Sequence, residues 1–232
     1  MGNERELGVV VVTGGSSGLG RAVVEAVAKA GGTPAVIDLA PPEDTSVAHV
    51  VADLSDTAAA SAAVEELVRR VGPPDAVVTA AGTDACGPLA EVDPEVWERV
   101  VRVNLFGTAA VVRACLPHLE ATRGTVVTVA STLGLRPAGD ATAYCASKFG
   151  VVGFTRALAM ELAGRVGVTL LVPGGMRTAF FDGRAEQYRP GPDAQLNDPA
   201  DVAQAVLTAL RMPLGCELRE LVVAASTEPS WP

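Results

Sequence analysis

Tyr144 and Lys148 stand four residues apart in the run Tyr144-Cys145-Ala146-Ser147-Lys148. On a helix, residues at i and i+4 share one face. A phenol and an ammonium so placed can point into one cleft. A free tyrosine titrates near ~10 and is a poor acid or base at neutral pH. A neighbouring cation favours the phenolate, so the pair is suited to passing a proton to or from a substrate oxygen. The plain alternative is a surface pair on an amphipathic helix, because Y-x-x-x-K is a short pattern. Cys145 is a weak candidate nucleophile: no His lies near it in sequence, and helix geometry turns i+1 away from i.

The elements that must carry this pair alternate between Val-rich runs and Ala-rich helical patterns. Residues 7–13 (LGVVVVT) read as a buried strand. They run into Gly14-Gly15-Ser16-Ser17-Gly18-Leu19-Gly20, and a helix over 21–30 follows, closed by Gly31-Gly32. Strand, glycine turn, helix is the setting in which a helix N-terminus holds a pyrophosphate. The spacing here is G-x-x-x-G-x-G. Residues 33–38 (TPAVID) form a second strand ending on Asp38. Asp38 lies 18 residues past Gly20, near the ~20 expected of an acid that binds a ribose 2′-hydroxyl. A polar residue capping the strand end is the alternative.

Further strands are expected over 48–53, 75–79, 124–130, 167–172 and 220–225. Helices are expected from Ser55 or Asp56 to Val71, from Asp93-Pro94 towards Glu120, from Tyr144 to about Leu162, and from Asp198-Pro199 to about Arg211. Ala80-Ala81-Gly82, after the fourth strand, would let a flat ring lie against the backbone. Asn104 falls inside the apolar helix, where Asn is poorly suited; it either bonds a backbone group or serves chemistry. Ser131 ends the fifth strand, thirteen residues before Tyr144. Strand end and helix start can then meet outside the carboxyl ends of the strands. Residues 179–198 mix Phe180, Phe181 and Tyr188 with Arg, Gly and Pro and show no period. Such a stretch in a compact domain is often a functional lid, expected here to be the least ordered segment until ligands bind.

Composition bounds the partners. A chain of 232 residues with 49% hydrophobic content is of single-domain α/β size, spanning 1–232. The formal charge of −9 argues against nucleic acid. No basic amphipathic helix points to a membrane surface, and residues 1–7 carry no apolar signal core. Four Cys without a C-x-x-C, and only two His, leave no metal site to expect. A reduced, cytoplasmic chain is the expectation.

Together these motifs resemble the short-chain dehydrogenase/reductase family, in its short single-domain branch. They fall in family order over nearly the whole chain: Thr13–Gly20 as T-G-x-x-x-G-x-G, Asp53-Leu54, Ala80-Ala81-Gly82, Asn104, Ser131, Tyr144-x-x-x-Lys148 and Pro173-Gly174-x-x-x-Thr178. The resemblance implies a Rossmann-type, doubly wound, mainly parallel seven-stranded sheet with helices on both faces. It implies that Tyr144 is the general acid/base, and that Lys148 lowers its pKa and bonds the nicotinamide ribose. Ser131 would hydrogen-bond the substrate oxygen. Asn104 would hold a water linking Lys148 to solvent. Gly14, Ser17, Gly18 and Leu19 would line the phosphates, Asp38 would bond the adenosine ribose, and Asp53 with Leu54 would flank the adenine. Ala80, Ala81 and Gly82 would lie along the cofactor, with Met176 and Thr178 contacting it beyond Pro173-Gly174. The family usually pairs the helices starting at Asp93 and Tyr144 between subunits, so a homodimer or homotetramer is expected.

Three positions depart from the family pattern. Thr79 stands where an Asn usually precedes Ala-Gly, Val172 where an Asn often precedes Pro-Gly, and Ala224-Ala225-Ser226-Thr227-Glu228 replaces a common V-D-G-G ending. The implied chemistry is hydride transfer between a nicotinamide cofactor and an alcohol or ketone. NAD(H) is expected over NADP(H), because neither the glycine turn nor residues 39–42 offer a cation, and Arg21, beyond the turn, should project away. The alternative is a non-catalytic, nucleotide-sensing regulator or scaffold on the same fold. Such proteins typically lose the Tyr or Lys, and both are present here. A sugar-nucleotide epimerase or dehydratase needs a larger C-terminal domain. The loop 132–142, residues 83–92 and the lid would shape the pocket for an apolar or mixed small substrate.

Overall fold

Val-rich runs with no polar side chain in their centres must be covered on both faces, and they are. A computed structural model, which describes residues 5–228 and 231, shows a seven-stranded sheet in the order β3-β2-β1-β4-β5-β6-β7. The strands are β1 Val9–Thr13, β2 Thr33–Asp38, β3 Ala48–Val51, β4 Ala76–Thr79, β5 Thr125–Val129, β6 Gly167–Pro173 and β7 Glu220–Val223. Each neighbouring pair is parallel. The expected Rossmann-type sheet is therefore present, parallel throughout its described pairs. Parallel strands need helical crossovers, which bury both sheet faces.

Among the described residues six α-helices supply that cover: α1 Gly18–Lys29, α2 Thr57–Val71, α3 Pro94–Val101, α4 Thr108–Thr122, α5 Thr142–Glu161 and α6 Pro199–Leu210. One core joins Val64 and Leu67 of α2, Val111 and Leu119 of α4 and Leu158 of α5 to the sheet. The other joins Val23 and Val27 of α1 and Val206 of α6 to the opposite face. Asp56, Asp93 and Asp198 each accept first-turn amides as N-caps, as their place before the apolar runs predicts. Strand order reverses between β1 and β4, so a crevice opens there at the carboxyl ends, where ligands of such sheets bind.

The helix begun at Asp93 is not uniform. Between α3 and α4 the backbone forms a π-helix, Arg102–Gly107. A π turn holds about one extra residue, and here it carries Asn104 on the buried side. Gly107 lies against Leu54; a β-carbon there would stand 2.6 Å from the Leu54 carbonyl oxygen. By length and composition the joined helix 94–122 could cross a membrane. In this fold its inner face is core, with Val111, Val112, Cys115 and Leu119 buried.

Candidate active site

The glycine turn adopts a shape its glycines allow. Gly14 has φ +69°, and a β-carbon there would sit 2.8 Å from the Ala81 backbone. The ends of β1 and β4 thus touch, and Thr13 Oγ1 accepts the Ala81 amide at 3.1 Å. Gly18, at φ +50°, faces Thr178, whose Cγ2 would be 3.4 Å from an added β-carbon. Ser17 is the N-cap of α1 but makes no side-chain capping bond. The first-turn amides of α1 are left for another acceptor. Ser17 is exposed, and Leu19 is buried in the core. A cradle too narrow for a β-carbon beside an uncapped helix start fits a dinucleotide pyrophosphate.

Asp38, at the end of β2, is tied to the glycine turn. Its Oδ2 accepts the Ser16 amide at 2.9 Å and its Oδ1 the Leu39 amide at 2.6 Å. Ser16 Oγ donates to the Ala40 carbonyl at 2.7 Å. Arg21 does not project away: it reaches Glu43, in the loop after β2, at 3.0 Å, and Glu25 at 3.6 Å. A long side chain at the start of α1 spans to that loop, which a linear reading cannot foresee. Asp53 accepts from Ser55 N and Arg99 Nη2, both at 2.9 Å. Burial pushes its pKa up, but these hydrogen bonds outweigh it and hold the carboxyl below its usual range. Leu54 packs in the core.

The expected proton-handling groups, Ser131, Tyr144 and Lys148, converge at the next strand end. Ser131, just past β5, is nearly buried and caps a 3₁₀ turn, Thr132–Gly134, accepting the Leu133 amide at 3.2 Å. That turn presses on α5, since a β-carbon at Gly134 would lie 2.8 Å from the Lys148 carbonyl oxygen. Lys148 Nζ donates to the Val129 carbonyl at 2.8 Å and stands 5.6 Å from the Tyr144 ring centroid. Gly82 faces the same point: a β-carbon there would be 3.5 Å from Asn104 Oδ1 and 3.7 Å from Lys148 Nζ. The surface-pair alternative is excluded, because Tyr144 and Lys148 are both buried.

Burial sets their titration. It raises the Tyr144 pKa to about 12, opposed by a hydrogen bond with Ser131. It lowers the Lys148 pKa to about 8. Desolvation of the buried phenol therefore sets the direction, against the simple expectation of a lowered tyrosine.

Asn104 has a structural task. Its Nδ2 donates to the Thr83 carbonyl and to Ser147 Oγ, each at 2.9 Å, and its Oδ1 accepts the Thr83 amide at 2.8 Å. Ser147 Oγ in turn donates to the Tyr144 carbonyl at 2.8 Å. Asn104 thus ties the strand exit after β4 to α5 through Ser147. Sequence reading passed over Ser147, although position i+3 from Tyr144 shares its face. Thr79, where the family has Asn, leaves its buried Oγ1 without a partner.

Pro173 ends β6, and the Gly174 amide donates to the Val223 carbonyl at 2.9 Å. Met176 packs on the α1/α6 core. The tail docks there: Glu228 Oε2 accepts the Gly175 amide at 3.0 Å.

The segment 179–198 starts with a 3₁₀ turn, Ala179–Phe181, capped by Thr178. It borders a cavity of about 980 Å³ with Gly82, Asp84, Cys86, Asp140 and Tyr188 in its wall. Arg184 pairs with Asp84, and Tyr188 Oη donates to Asp140 Oδ2 at 3.0 Å. Asp84, Asp140 and Arg184 escaped sequence reading. Asp84 and Arg184 lie 100 residues apart and no local pattern joins them.

This geometry has known counterparts. The family model for short chain dehydrogenase matches residues 8–189. A 2-dehydro-3-deoxy-L-rhamnonate dehydrogenase (NAD(+)) from Sphingomonas sp. (strain SKA58) is 37% identical over 182 residues, 74% of this chain and 73% of that protein. A solved 3-ketoacyl-(acyl-carrier-protein) reductase from Brucella melitensis, complexed with NADH, is 28% identical with a TM-score of 0.84, covering 95% of this chain and 98% of the other. An alcohol dehydrogenase from the archaeon Thermococcus sibiricus, complexed with 5-hydroxy-NADP, is 25% identical with a TM-score of 0.82, covering 94% and 96%. With the family model matching most of its length and solved relatives superposing at TM-scores of 0.82 and 0.84, this chain belongs to the short-chain dehydrogenase family.

Proposed function

We propose that this protein is an NAD(H)-preferring oxidoreductase that interconverts an alcohol and its ketone, working as a single dinucleotide-binding domain with a lid over 179–198. The observation that carries the reading is the meeting of Tyr144, Lys148 and Ser131 with Gly82 beside the glycine turn. A bound nicotinamide dinucleotide supplies the hydride acceptor or donor at its C4. The chain's own residues bind, orient and move the proton. Ser131 holds the substrate oxygen. Tyr144 takes the hydroxyl proton in oxidation and returns it in reduction. Lys148 holds the nicotinamide ribose, and its charge favours the phenolate. Gly14, Ser17, Gly18, Leu19 and Thr178 surround the phosphates; Ala80, Ala81, Gly82, Pro173, Gly174 and Met176 border the rest. Asp38 meets the adenosine ribose, and Asp53 with Leu54 the adenine edge. Asn104 positions this array. Both of its amide hydrogens are committed and its backbone carbonyl accepts from Thr108 Oγ1 at 2.8 Å, so a relay water towards Lys148 is left the second Oδ1 lone pair.

Nicotinamide fluorescence with a panel of alcohols and ketones, run with both cofactors, tests the reading; cofactor binding without turnover of any substrate would favour the regulator instead. The four free cysteines suit a reducing cytoplasm.

The cavity wall narrows the substrate class. Asp84, Glu91, Asp93 and Asp140 line it with Arg184 as the facing cation, and Arg184 is already paired to Asp84. This surplus of carboxylates favours uncharged, hydroxyl-bearing substrates over acids, by repulsion and by its hydrogen-bond acceptors. Of the apolar or mixed small substrates expected from the sequence, this wall favours the mixed, hydroxyl-bearing ones. We expect kcat/KM for a neutral hydroxy compound to exceed that of its size-matched carboxylate by at least about tenfold, or ~1.4 kcal/mol. Faster turnover of the acid would reverse this assignment.

Assembly follows from exposed apolar groups. Leu105 packs on Gly150 between the helix 94–122 and α5, while Phe106, Phe149 and Met160 remain exposed at 52%, 43% and 81%. Large apolar groups left open on two adjoining helices mark a contact surface, and a two-fold homodimer through them is expected, with a tetramer as the larger form. Light scattering of Phe149→Glu with Met160→Glu should then report a smaller particle than the parent. A monomeric parent at micromolar concentration counts against the dimer.

A further inference from the structure

Two charged residues from distant parts of the chain meet over Tyr144. Asp84 belongs to the loop after β4, and Arg184 to the lid. Their side chains are 6% and 17% exposed. Arg184 Nη2 donates to Asp84 Oδ2, and Nη1 donates to the Tyr188 carbonyl at 3.3 Å. The guanidinium carbon lies 5.1 Å from the Phe180 ring centroid and 4.6 Å from that of Phe181. Phe180 packs on the Tyr144 ring with centroids 5.7 Å apart. Ion pair, aromatic stack and acid/base therefore form one continuous contact.

The two charges act on Tyr144 in opposite directions. A buried carboxylate nearby disfavours a phenolate, and a guanidinium favours it. The other groups facing Tyr144 are Lys148 and Cys145 from its own helix and Ser131 from the end of β5. Cys86 Sγ donates to Asp84 Oδ2 at 3.2 Å, and Asp140 is bonded to Tyr188. Burial is the largest influence raising the Tyr144 pKa and the Ser131 bond lowers it; Asp84 raises it further and Arg184 lowers it. Asp84 lies in the loop after β4 and Arg184 in the segment 179–198, so the pair ties that segment to the sheet.

We propose that Arg184 couples lid closure to the proton transfer at Tyr144. With the lid raised, the bare Asp84 carboxylate keeps the phenol protonated. With the lid down, Arg184 neutralises Asp84, and the phenol becomes able to pass its proton. Arg184 and Asp84 are positioning residues, since they act through Tyr144. The inference rests on the acid/base reading of Tyr144 given above. Its consequence is that Tyr144 serves as a base chiefly when the cavity is closed over substrate.

The pH dependence of kcat for alcohol oxidation tests this, because oxidation needs the ionised phenol. Arg184→Gln should move the apparent pKa of the rising limb up by roughly one unit, and Asp84→Asn should move it down by a similar amount. The double variant should return close to wild type, having lost both charges. Arg184→Lys keeps the cation and should leave the limb near its wild-type position. A second readout needs no cofactor. The chain has two tyrosines, so in a Tyr188→Phe background tyrosinate absorbance reports Tyr144 alone, and its midpoint should move in the same order. If Arg184→Gln fails to fold, Asp84→Asn and Arg184→Lys still decide the matter. A uniform loss of rate at every pH with an unmoved absorbance midpoint overturns the coupling, as does a double variant still displaced like Arg184→Gln. Full turnover by Tyr144→Phe would instead overturn the acid/base reading itself, which separates the two failures.

Discussion

Tyr144→Phe is expected to remove turnover by ~10²–10⁴, the usual worth of general acid–base catalysis, while leaving NADH binding nearly intact. The substitution deletes one hydroxyl and keeps the ring, so the packing on Phe180 at 5.7 Å survives. What is lost is the hydroxyl that hydrogen-bonds Ser131, the proposed proton carrier. Lys148→Ala should damage binding and turnover together. It removes the proposed ribose partner, the cation beside the ring and the 2.8 Å bond to the Val129 carbonyl that anchors α5 to β5. Steady-state rates and a fluorescence titration on the same preparations separate these outcomes. A Tyr144→Phe protein that keeps more than about a tenth of the parent turnover would disprove the assignment.

A change of cofactor from NAD(H) to NADP(H) should cost at least about tenfold in kcat/KM, or ~1.4 kcal/mol. Asp38 is the reason. Its carboxylate is held between the glycine turn and the exit of β2 by the Ser16 and Leu39 amides. Oδ1 also takes the Ala40 amide at 3.5 Å, so it is Oδ2 that keeps lone-pair capacity for a ribose hydroxyl, while a 2′-phosphate would meet a like charge. Arg21 is the basic side chain best placed to help NADP(H), since it reaches the same loop. It is occupied by Glu43 and Glu25. Those contacts are solvent-exposed pairs of small worth, so Arg21 limits the size of the preference without cancelling the repulsion at Asp38. Asp38→Ala combined with Leu39→Arg should move the preference towards NADP(H). Equal or better turnover of the parent with NADPH would refute the role of Asp38.

Much of the scaffold was legible because its signals are local. Val runs, glycine turns and Asp caps act over one to four residues, and they mark where β1, β2, α2 and α6 begin or end in this fold. The Tyr144/Lys148 pair was legible for the same reason, since helix geometry alone puts i and i+4 on one face. The π turn at Asn104 was visible only as a residue out of place. Its cause is tertiary: the amide is drawn to Thr83 and Ser147, 21 and 43 residues away.

The sequence by itself determined the alternation of strand and helix, the glycine cradle, the acid at the end of β2 and the types of the proton-handling side chains. Tertiary structure alone decided which groups surround them. Burial, which no local pattern encodes, sends Tyr144 up to about 12 and Lys148 down to about 8. Chain crossing brings Arg21 to Glu43, Glu228 to Gly175 and Arg184 to Asp84. Charge interactions depend on distance and desolvation in space, and both quantities exist only once β1, β4, β5 and the lid have come together.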